Sequence, residues 1–273
     1  AMESRGLGDV YKRQSLYGTR ASRLLGCFMA ATNDWDVPDN PDPHEIMHSG
    51  AQDAMAGRHD VALAKFIWFH ENALSFDQAL SGVRLSFALS YWHQLANDYP
   101  PAMTALHETR NQAETSFLTG GYGFQDFHDL SSLNRELGTP KRTAEIFKQV
   151  SHRDINAARH VYHVAEPALV AENEFSLCNT FLEPEKRLDV ALKGFRVARR
   201  FETSNSGSGR RPPETAFKHL VQNLSVLIAL LVVNNRAAEA QAVADRAQAA
   251  LPDYQVLPEL ESALAGHVPP AWP

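Results

Sequence analysis

The segment His44-Glu45-Ile46-Met47-His48 has the H-E-x-x-H spacing. On a helix that spacing puts two imidazoles on one face, where they can hold a zinc ion, with the glutamate placed as general base for hydrolysis. The position of the motif weighs against that chemistry. It follows Pro41-Asp42-Pro43 at the start of a helix, and Gly50 stands two residues after His48, where the extended protease pattern has its glycine at three. His59, His70 and Glu71 are candidate further ligands, but no spacing selects one of them. A pattern with three fixed positions also arises by chance. The simpler reading is a half-exposed amphipathic helix, with a zinc-dependent hydrolase using His44, Glu45 and His48 as the alternative.

A second group combines Trp68, His70 and Asn72 with Arg84 and Trp92 on the following helix. An arginine offers a fixed fork of donors and an asparagine a mixed donor–acceptor pair, so Asn72 and Arg84 could receive a carboxylate or a peptide backbone. These five are the candidates for a ligand groove. The competing reading packs both tryptophans into a hairpin core and hydrogen-bonds His70 inside it.

A third group is basic. Lys186, Lys193, Arg196 and Arg200 recur at i, i+7, i+10 and i+14 on one helical face, with Arg210 and Arg211 in the next loop. Such a stripe is either a solvated face or a seat for an anion or acidic partner. Asp189 and Glu202 dilute it. Cys178 lies among Glu172, Glu174 and Glu183 beside Leu177, without the electropositive setting of a reactive cysteine, and reads as a buried helix thiol.

Composition narrows the class. The chain has 273 residues, 44% hydrophobic and 21% charged, with formal net charge -6. That is ordinary for a globular protein and argues against a general nucleic-acid binder, which carries a basic face. Two cysteines, Cys27 and Cys178, fit a reducing compartment better than a disulfide-stapled one, so a cytoplasmic location is expected. The longest unbroken apolar run, Val226 to Val233, is far short of the ~18 residues of a membrane span and reads as buried helix. The first residues lack periodicity. GLGDVYKRQ within 2–14 resembles read-through of a sequencing adapter, and Arg20 to Ala31 holds a Leu-Leu-Gly-Cys box with too short an apolar lead to be a signal. Met29 is the simpler start. The acidic, proline-rich stretch 32–43 is expected to be extended.

The elements that must position these residues read as helices throughout. Proline and glycine punctuation divides the chain into helices near 44–58, 60–74, 82–97, 100–120, 124–137, 140–151, 154–182, 184–201, 213–234 and 236–251, the seventh with a candidate kink at Pro167. Thr203 to Arg211 reads as a flexible loop. A beat of small and large residues runs through them. Ala62 precedes Phe66 by four, Ala102 precedes Leu106, Ala191 precedes Phe195, and Ala144 and Ala240 mark the same place in their segments. The intervals between these alanines are 40, 42, 47 and 49 residues, the signature of stacked helical hairpins.

Two segments resemble the tetratricopeptide repeat family. In the first, Gly50, Gly57, Ala62 and Phe66 stand at the family's small-small-small-aromatic spacing. In the last, Leu224, Leu227, Leu231, Ala240, Ala244, Ala247 and Pro252 fit through the closing proline, and Lys186 to Ala198 fits in part. The resemblance implies hairpins of the family's kind with lengthened helices, in which small residues let helices approach and a large residue fills the groove.

Together these readings predict an all-α chain: about five antiparallel hairpins in a right-handed superhelix over 44–265, with a lead-in at 1–43 and a tail at 266–273. The function expected from such a solenoid is non-catalytic docking of a peptide or protein partner, without cofactor, nucleic acid or membrane. A self-assembling structural protein, with a homodimer face on helix 213–234, is a further alternative.

Overall fold

The computed structural model describes residues 35–204 and 214–270. The readings for the N-terminal leader, Cys27, the loop arginines Arg210 and Arg211 and the last three residues lie outside them. Among the described residues every regular element is a helix and there is no strand. The chain divides into two compact units, the first ending at Gly138 and the second beginning at Thr139.

The first unit comprises α1 (Pro43–Met55), α2 (His59–Phe76), a 3₁₀ turn (Gln78–Leu80), α3 (Ser81–Arg84), α4 (Phe87–Asp98), α5 (Pro100–Thr119) and α6 (Phe124–Glu136). Asp42 caps α1, accepting from the His44 amide at 2.8 Å, and Pro43 opens it, as suits a first turn whose amides have no helical partner. α1 packs on α2, α2 on α4, α4 on α5 and α5 on α6. The main core joins Ala62, Phe66, Leu89, Trp92, Ala102, Leu106 and Leu133. Trp35, in the irregular lead-in, packs with Trp68, Phe69 and Leu80 in a smaller cluster, and the Lys65 ammonium stands 5.8 Å from the Trp35 ring centre.

The second unit comprises α7 (Pro140–Arg153), α8 (Ile155–Ala171), α9 (Phe175–Asn179), α10 (Pro184–Ser204), α11 (Thr215–Val233), α12 (Ala237–Ala250) and α13 (Val256–Leu264). α7 pairs with α8, and α11 is surrounded by α9, α10, α12 and α13. Leu224, Leu227, Ile228, Leu230 and Leu231 of α11 are buried. The apolar run that could have offered a dimer face is therefore the core of this unit. By length and composition alone α11 could cross a membrane, but its apolar residues face its own neighbours.

Three helix boundaries differ from the sequence reading. The expected helix 82–97 is interrupted at Ser86, whose φ of -130° and ψ of -90° leave the helical region. The expected long helix 154–182 is not merely kinked. Pro167 sits inside α8, and the helix stops after Ala171 and the chain turns at Asn173, with φ of 58°, a left-handed conformation that asparagine tolerates better than most side chains. α13 was not anticipated, because Pro258 obscured the period of Val256, Leu260 and Ala263, all buried.

Candidate functional site

α1 places the H-E-x-x-H residues in its first turns. Its buried side is formed by Pro43, Ile46, Gly50 and Asp53, so His44, Glu45 and His48 are exposed. Gln52 donates to His48 Nε2 at 3.0 Å. Among the described residues no three histidine, cysteine or acidic side chains converge to hold a metal. The spacing is that of a solvated face.

Four of the five groove candidates turn inward, and Asn72 is half-buried. Trp68, His70, Arg84 and Trp92 are all buried. The Trp92 indole donates to the Ala102 carbonyl at 3.1 Å, and Asn72 donates to the Trp68 carbonyl of its own helix at 2.8 Å. Arg84 is the hub. Its Nη1 donates to the His70 carbonyl at 3.1 Å and lies 3.3 Å from His70 Nε2, while Nη2 pairs with Asp129 on α6. Gln125 donates to the same Asp129 oxygen at 2.7 Å. A guanidinium only donates, so His70 Nε2 carries the lone pair and Nδ1 the proton. Burial, followed by the Arg84 charge, pushes the His70 pKa down to about 4 against the opposing pull of Asp129. The imidazole is thus neutral at ordinary pH and its lone pair faces a cation, which removes it as a general base. Beside it, burial raises the Glu71 carboxyl to about 7. Among the described residues, His70 Nδ1, Glu71 Oε2 and Arg84 Nε are buried without a hydrogen-bond partner. The sequence reading found His70 and Arg84 but missed Asp129 and Gln125, since no spacing links Arg84 to a residue 45 positions away.

In the second unit the chemistry-bearing side chains satisfy one another. Arg187 grips Glu166 with both terminal nitrogens, Nη2 to Oε1 at 2.7 Å, and Tyr162 donates to Glu166 at 2.8 Å. Burial first, then the Glu166 charge, pushes the Cys178 thiol up to about 12, so it stays protonated and unreactive.

The outer face of α10 is different. Lys186, Lys193, Arg196 and Arg200 are exposed, as a stripe requires. Lys186 pairs with Glu183 at 2.8 Å, whereas Lys193 and Arg196 have no ion-pair partner among the described residues. Next to the cations runs a line the sequence reading missed: Val190, Val197 and Phe201 are 64%, 45% and 64% exposed. Their spacing is i, i+7 and i+11. On the other flank a cleft of about 510 Å³ is lined by Asp189, Leu192, Arg196, Arg246, Ala249 and Ala250. Arg246 of α12 donates to Asp189 at 3.1 Å and pairs with Glu185.

No family model, curated protein or solved structure matches this chain.

Proposed function

We propose that this protein is a non-catalytic docking module that binds a peptide or protein partner on a helical surface, its helices stacked as tetratricopeptide-like hairpins in a superhelix. One observation carries the reading. Among the large apolar side chains left exposed, three, Val190, Val197 and Phe201, fall at helical spacing on one face of α10. An ordered apolar line rimmed by charge is the mark of an interaction surface. The interior polar groups add to it, because His70, Arg84 and Glu166 are committed to partners inside their own units.

The test is selection of helical peptides from a phage-displayed library on the full chain, followed by calorimetric titration of the synthetic hits. Saturable one-to-one binding with the peptide recovered intact is expected. Cleavage of the peptides, zinc-dependent and lost in His44→Ala, would instead establish the hydrolase.

A further inference from the structure

Resting on the docking reading above, we propose that the occupant of the α10 face is a short acidic amphipathic helix of a protein partner. Its apolar edge lies on Val190, Val197 and Phe201, and its carboxylates face Lys193 and Arg196.

The shape of the patch points to a helix. Val190 to Phe201 spans eleven residues, or about 16 Å along the axis at 1.5 Å per residue, the length of roughly three helical turns. The patch is a line one side chain wide, which suits the apolar edge of a second helix and not a flat surface. Gly194 lies within that line, between Val190 and Val197. A glycine in mid-helix lowers helix stability relative to alanine, yet a side chain built there would meet nothing within 4 Å, and its φ is not in the left-handed region. Neither internal packing nor backbone geometry calls for it. It leaves a notch in the ridge where a partner's side chain can seat.

Charge selects the sign of the partner. Lys193 and Arg196 are exposed and unpaired among the described residues, and Glu185 and Asp189 of the same helix are paired with Arg246. The chain as a whole is at -6, so this cationic edge is a local arrangement and not an echo of net charge. An anionic bilayer would meet the same edge, but it would also meet the rest of a net-acidic molecule, and it would gain little from a line of three apolar residues.

The probe is a fluorescein-labelled helical peptide of about sixteen residues, with leucines at i, i+4, i+7 and i+11 and flanking glutamates. A lysine-flanked version and vesicles of phosphatidylcholine with phosphatidylserine accompany it. Anisotropy on the full chain should show saturable binding of the glutamate peptide, with the lysine peptide weaker by about tenfold or more. Lys193→Glu with Arg196→Glu should reverse that order. Gly194→Leu, which fills the notch without touching the core, should weaken binding by about tenfold, as should Val197→Asp. Circular dichroism on each variant separates lost binding from lost folding, and the double charge reversal leaves every buried residue in place. An unchanged affinity in the double variant overturns the proposal. So does failure of the glutamate peptide while library-selected peptides of another character bind, an outcome that leaves the docking reading standing. If neither designed nor selected peptides bind, both readings fall. Binding of the chain to the vesicles alone, or a dimer in sedimentation that Val197→Asp dissociates, assigns the face to a membrane or to a second copy and also overturns it.

Discussion

Arg84 is 4% exposed and depends on Asp129 for its countercharge. Removing one member of a buried pair leaves the other charge uncompensated in a poorly polarisable setting. Asp129→Asn should therefore destabilise the first unit by about 3 kcal/mol in chemical denaturation. Arg84→Met, which removes the charge together with its demand for a partner, should cost less in the Asp129→Asn background than alone, a coupling that a double-mutant cycle reads directly. Glu71 supplies a pH-dependent term of the opposite kind. Burial raises its carboxyl from 4.5 to about 7, so between those values the folded chain holds a proton that the unfolded chain has lost, and stability falls as pH rises through that window. Glu71→Gln should remove the fall. At pH 8 the variant should be more stable by about 1–2 kcal/mol, discounted for the solvent the side chain still meets, with no difference near pH 4. His70 runs the other way. Its pKa, held down to about 4 by burial and then by Arg84, makes stability fall as pH drops from 6.5 toward 4, because only the unfolded imidazole takes up the proton. The inward place of His70 was legible as the competing reading, in which it hydrogen-bonds inside a hairpin core. The burial of Arg84 was not, because it depends on Asp129 arriving from α6, and on the Ser86 break that ends α3 at Arg84.

At the scale of elements, two helical glycines test the packing in opposite directions. A side chain at Gly50 on α1 would lie 3.1 Å from the Phe66 ring and 3.2 Å from Lys65 Cβ on α2. Gly50→Leu should cost about 2–3 kcal/mol through overpacking, whereas Gly194→Ala on α10, in open space, should gain about 0.5–1 kcal/mol from helix propensity. Thermal melts of the two variants measure both. Asp154 caps α8 by accepting from the Asn156 and Ala157 amides at 3.0 and 2.9 Å, so Asp154→Ala should lower stability by about 1 kcal/mol. Of the alanines in the small-and-large beat, Ala62, Ala102, Ala144 and Ala240 are buried and Ala191 is half-buried. Helix starts marked by Pro43, Pro100, Pro140 and Pro184 were legible because proline at a first turn loses no hydrogen bond. The stops at Ser86 and Asn173 were not. Neither residue forbids a helix, and each break is set by what the flanking segments bury. On α10 the cationic stripe was legible from spacing, while the apolar line beside it emerged only once the opposite face was seen to be the buried one.

For the whole molecule, the question is whether α11 belongs to a soluble core or to some other apolar environment. Its composition permits a membrane span, and its sequence could equally have served a dimer. Its packing argues for the core. Asn234 at its end donates to the Phe175 carbonyl of α9 at 3.0 Å, and Arg236 just beyond donates to Asn179 at 2.9 Å. α13 closes on it through Leu260 and Ala263, which are buried. Lys148 of α7 meets Glu174 before α9 at 2.6 Å, and Arg187 of α10 meets Glu166 of α8. All of these partners lie between Thr139 and the C-terminus, so the second unit contains its own core and the pairs that fix it. A unit of this size buries enough apolar surface to fold alone. Residues 139–273 expressed by themselves should therefore be helical and monodisperse without detergent, and should melt in one cooperative transition that Leu227→Ala lowers by about 2–5 kcal/mol. A fragment that stays aggregated until detergent is added would give the apolar surface of α11 to a bilayer or a second copy, and would overturn the packing that places the α10 face on the outside.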